Sequence, residues 1–105
     1  MSSTVGYGVE ISKEDGDYWE GEQVAANLGL EIVTSRAEYG DEERVFLLDG
    51  DSIMTAGKED NTALALTLTV PVNTQEKIDR FFKEADNLKA TSSLSWWLVD
   101  YYVYS

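Results

Sequence analysis

Carboxylates are the only reactive groups this sequence offers in number. The chain of 105 residues holds 20 Asp and Glu against 8 Lys and Arg, with no His and no Cys. That inventory removes a thiol nucleophile, a thiolate zinc site, the commonest general base and the commonest metal ligand. Two carboxyls can run glycoside hydrolysis when they flank a cleft at roughly 5–10 Å. Twenty acids guarantee close pairs, so their presence alone says nothing, and a chain with one small core has little room for a cleft. Asp15-Gly16-Asp17 and Asp49-Gly50-Asp51 set oxygens beside glycine turns, as calcium loops do. Both lack the spacing and the distal Glu of such a loop, and Asp-Gly is the ordinary turn pair. No nucleophile elbow and no phosphate-binding glycine loop occurs. The expectation is a protein that is not an enzyme, with no cofactor and no metal.

The acids are unevenly placed. Residues 1–60 carry 15 acids and 4 bases, and residues 61–105 carry 5 and 4. One half of the sequence therefore holds almost all of the net −12. Such a charge repels nucleic acid and anionic membranes and favours a basic protein partner. It also serves plain solubility, and it suits a salt-adapted habitat. The candidate partner-binding acids fall in turns and at a helix start: Glu14, Asp15, Asp17, Glu38, Asp41, Glu42, Glu43, Asp49, Asp51, Glu59 and Asp60. Clustered on one side, they would imitate the phosphates of DNA or RNA. The partner would then be a basic nuclease or DNA-binding protein. Inhibitors, immunity proteins and phage anti-defence proteins share this profile of small, acidic, motif-free chains. No apolar run reaches the roughly 18 residues of a membrane span. Met1-Ser2-Ser3-Thr4 lacks the regions of a signal peptide. The expected location is the cytoplasm, or a host cell's cytoplasm for a phage-encoded chain.

The elements that must position these residues follow from periodicity. Val5, Tyr7, Val9 and Ile11 alternate with Gly6, Gly8 and Glu10, which predicts a strand over Thr4–Ile11 with one bare face. Asp17–Leu28 reads as a helix, capped by Asp17 and Glu20 and stopped by Gly29, with Tyr18, Gly21, Ala25 and Leu28 inside. Strands follow over Leu30–Ser35, Arg44–Leu48 and Ser52–Ala56, the last two as a hairpin about Asp49-Gly50. Ala63–Val70 alternates Leu with small residues and predicts a further strand. Asn73–Leu88 reads as a helix with Asn73 and Glu76 as its cap. Its apolar stripe is Ile78, Phe81, Phe82, Ala85 and Leu88, and Lys77, Asp79, Arg80, Lys83, Glu84 and Asp86 face solvent.

Leu94–Tyr104 closes the chain as a strand with large side chains on both faces. Asp100 is the one acid set within it, at a position expected to reach solvent. One face packs on the Phe81/Phe82 helix. The other, with Trp97 and Tyr101, lies on an open side of the sheet. Trp97, Tyr101, Tyr102 and Tyr104 are thus candidates for self-association as a homodimer, and exposed Trp and Tyr beside carboxylates can also stack a small ligand. The order β-α-β-β-β-β-α-β predicts a single acidic α+β domain over 1–105. Its mostly antiparallel sheet has five or six strands, both helices pack on one face, and the topology is a split β-α-β.

Overall fold

The structure, a computed structural model, describes residues 2–12, 18–35, 44–57 and 69–101. Of residues 2–3, 18–20, 55–57 and 100–101 the backbone alone is described. The strands are β1 (Ser2–Ser12), β2 (Leu30–Ser35), β3 (Arg44–Asp49), β4 (Met54–Gly57), β5 (Lys89–Ala90) and β6 (Ser95–Tyr101). The helices are α1 (Tyr18–Asn27) and α2 (Thr74–Glu84). The strand expected over Ala63–Val70 falls outside the described residues except for Thr69 and Val70. Both of these are exposed and lie in no strand.

Strand β1 organises everything else. One edge pairs with β3 over residues 8–11 and with β4 over residues 2–5. The other edge pairs with β6 over residues 2–8 and with β5 over residues 11–12. With β2 beside β3, the sheet reads β2-β3-β1-β6 across, and every pairing is antiparallel. Each helix thus connects strands separated by a third strand between them, the double split β-α-β order of ferredoxin-like sandwiches. The hairpin expected about Asp49-Gly50 does not form. Strands β3 and β4 run in line along one edge of β1, broken by a 3-10 turn at Gly50–Ser52. The break leaves Tyr7 without a strand partner on this edge, and its N–H donates instead to Ser52 Oγ at 2.8 Å. A second break, between β5 and β6, is plugged in the same way: Glu10 N–H donates to Ser92 Oγ at 2.9 Å.

Both helices cover one face, as the apolar stripes require. Val9, Ile11, Leu30, Val45 and Leu47 of the sheet meet Ala25 of α1 and Ile78, Phe81, Ala85 and Leu88 at and beyond α2. At Gly21 a Cβ would stand 3.0 Å from Leu88 Cδ1, so the missing side chain lets α1 settle into this layer. Gly29 ends α1 with φ 74°, the left-handed stop that glycine adopts without strain. Asn73 begins α2 differently from the expected cap. It takes φ 69° and makes no side-chain capping bond, a conformation that Asn tolerates better than most residues.

The other face, which the sequence pattern implies is open, is covered. In a flat sheet of this order β2 and β6 would stand roughly 14 Å apart. Their Cα atoms instead approach within 8 Å. The sheet curls round its second face and encloses Phe46, Leu48 and Val99, with Val33, Ile53 and Trp97 packed against them. The bare face of β1 makes the curl feasible. A Cβ on Gly8 would lie 1.9 Å from the Leu47 carbonyl oxygen, and one on Gly6 would lie 2.7 Å from Leu48 Cδ1.

Candidate functional site

Of the eleven acids proposed for partner binding, Asp49 and Asp51 are described. Glu14, Asp15, Asp17, Glu38, Asp41, Glu42, Glu43, Glu59 and Asp60 lie outside the described residues. The two described acids do different things. Asp51 is exposed, its side chain 82% accessible. Asp49 is fully buried and presents nothing to a partner. It continues the row Val45, Leu47, Asp49 that faces the helices, so its carboxylate enters the core layer. An ionised group there needs partners, and it has them. Thr74 Oγ1 donates to Oδ2 at 2.7 Å, Lys77 Nζ donates to Oδ1 at 3.1 Å and to Oδ2 at 3.3 Å, and Asp51 N–H donates to Oδ1 at 3.0 Å. The Asp49 carbonyl accepts from Ser52 Oγ at 2.6 Å. Gly50 N–H reaches the Gly29 carbonyl at 2.9 Å, which ties the end of α1 to the same knot.

Lys77, read from the sequence as solvent-facing, is drawn inward to Asp49 and also reaches Asp51 at 3.4 Å. Burial alone would lower its pKa. Hydrogen bonds and charge from Asp49, seconded by Asp51, outweigh that and hold it above the usual lysine value. The knot joins the end of β3, the 3-10 turn and the first turn of α2. Its carboxylate is surrounded by the chain's own donors, so it works as a structural joint.

The aromatic strand is also partly spent inside. Trp97 is half-buried, its Nε1–H donates to the Gly8 carbonyl at 3.0 Å, and its ring lies 4.9 Å from that of Phe46. The Arg44 guanidinium stands over both rings, 5.4 Å from Phe46 and 5.8 Å from Trp97, while it pairs with Glu10. Trp97 is therefore less available for self-association than its sequence suggested. Tyr101 is described by backbone alone, and Tyr102 and Tyr104 lie outside the described residues. On the helix-side face Trp96 stacks against Tyr7 at 5.2 Å, and beyond it Leu98 is 68% exposed.

Arg44 holds the Glu10 carboxyl below the usual carboxylate range, chiefly through their hydrogen bond. Partial burial opposes the shift, and Arg44's charge and Thr91 reinforce it. Among the described residues no group of three or more carboxylates is arranged to hold a metal ion, and no helix is long and apolar enough to cross a membrane. Comparison with protein-family models, with curated proteins and with solved structures finds no match.

Proposed function

We propose that this chain is an acidic binding protein that occupies a basic surface of a partner protein, one built to hold nucleic acid. The supporting observation concerns which charges the interior needs. Among the described residues Asp49 is the one buried acid. The ion pairs Asp49–Lys77 and Glu10–Arg44 each consume one acid and one base. The net −12 is therefore left entirely to the rest of the chain. Among the described residues the ion pairs of the fold account for none of that excess, and surface charge of one sign steers and orients a partner of the other.

The test is binding to immobilised basic nucleases and DNA-binding proteins at two ionic strengths, with duplex DNA as competitor. Expected is salt-sensitive binding that duplex DNA displaces. Reversal of Glu38, Asp41, Glu42 and Glu43 to Lys should abolish it. Binding indifferent to both the reversal and the competitor would overturn the reading.

A further inference from the structure

Helix α2 shows solvent a stripe of four exposed charges, Glu76, Asp79, Arg80 and Lys83. Spacings of three, four and seven residues put them on one side of the helix. The ordinary role of such charges is pairing within the helix, Glu76 with Arg80 and Asp79 with Lys83. Neither pair comes within salt-bridge distance; among the described residues the pairs are those of Arg44 and Lys77. Asp79 instead accepts from Gln75 Nε2 at 2.9 Å. The stripe thus presents charges that its own helix leaves unmatched. It is also an exception to the surface as a whole. Thr74–Glu84 holds three acids and three bases, in a chain of net −12.

The order along the stripe is acid, acid, base, base. Read against itself in the opposite direction, every acid meets a base. We propose that α2 is a contact between two copies of this chain, packed antiparallel about a two-fold axis between Asp79 and Arg80. Glu76 of each copy then faces Lys83 of the other, and Asp79 faces Arg80. A two-fold contact must be self-complementary, and this charge pattern is.

Exposed ion pairs are individually weak, and the remaining acids of two copies repel. The dimer is accordingly a low-affinity one, populated at high protein concentration. It uses none of the acids assigned to partner binding, so it stands whether or not the partner-binding reading does.

Sedimentation of the full chain over a concentration series, up to the millimolar range, tests this. Wild type should show a monomer–dimer equilibrium. The variant Arg80→Glu with Lys83→Glu should raise the dissociation constant by about tenfold or more, since all four matches become like-charge contacts. The four-fold swap Glu76→Lys, Asp79→Arg, Arg80→Asp, Lys83→Glu keeps composition and restores every match, so it should dimerise as wild type does. All four sites are exposed, so each variant should fold, which circular dichroism checks. A wild type that stays monomeric, a dimer indifferent to the double reversal, or a four-fold swap that fails to restore it would each overturn the proposal.

Discussion

Strand β3 carries an ion pair at each end, and the two ends sit in different media. At its start, Arg44 pairs with Glu10 over the aromatic layer, with 56% of the Arg44 side chain and 20% of the Glu10 side chain exposed. At its finish, Asp49 pairs with Lys77, the acid fully buried and the amine 24% exposed. Water and salt screen the first pair, so it contributes little beyond stacking its guanidinium on Phe46 and Trp97. In the second, Asp49 has lost its hydration and is held by three donor groups through four hydrogen bonds, so removal of Lys77 strands the acid. The same chemistry is ornament at one end of a strand and joint at the other, and burial decides which.

The sharpest way to break this contrast is Lys77→Met. It leaves Asp49 uncompensated, and urea unfolding should show a loss of about 3–5 kcal/mol. The double change Lys77→Met with Asp49→Asn should recover much of it: the amide oxygen still accepts from Asp51 N–H, the amide NH2 can donate to Thr74 Oγ1 as that hydroxyl turns to the Pro71 carbonyl, and no charge is left stranded. Thr74→Val comes next. It removes the hydroxyl donor to Asp49 Oδ2, for an expected loss of about 1–3 kcal/mol. Equal effects at Lys77 and Arg44 would refute the account.

Acid and alkali separate the two pairs further. Lys77 has a folded pKa above its ordinary 10.5, so its contribution is complete below that value and is lost as pH rises through the folded pKa. Glu10 has a folded pKa below its ordinary 4.5, so its contribution is present above that value and is lost as pH falls through the folded pKa. Thermal unfolding against pH should therefore lose its alkaline arm in Lys77→Met and part of its acid arm in Glu10→Gln. The smallest effect belongs to Arg44→Ala, within about 1 kcal/mol at low salt and smaller still in high salt.

Local patterns made most of the fold legible in the sequence. Period-two alternation located β1, β-branched residues located β2, large side chains on both faces located β6, and the stripe from Ile78 to Leu88 located α2 and its buried face. Gly29 announced the end of α1. What failed was non-local. The pair Asp49-Gly50 carried a strong turn signal, and nothing nearby revealed that β1 would take both flanking strands, or that Lys77 would arrive from 28 residues away. One clue was present: Asp49 is in phase with Val45 and Leu47, and an acid in a core row demands a cation. The curl of the sheet was equally hidden. Gly6 and Gly8 marked a bare face, but only the approach of β2 to β6 gives that face its use. For the candidate site, Asp51 stands exposed where the sequence put it, whereas Asp49 and Trp97 are drawn inside by partners far along the chain.

The two serine plugs on β1 have a consequence in time. Because Ser52 and Ser92 each seal a break in the ladder, one strand near the start of the chain serves as template for four others, the last of them ending at Tyr101. During synthesis β1 would stand with one edge unfilled until residues 95–101 are made. Contacts of such sequence separation are closed late and slowly, and an unfilled edge invites foreign strands.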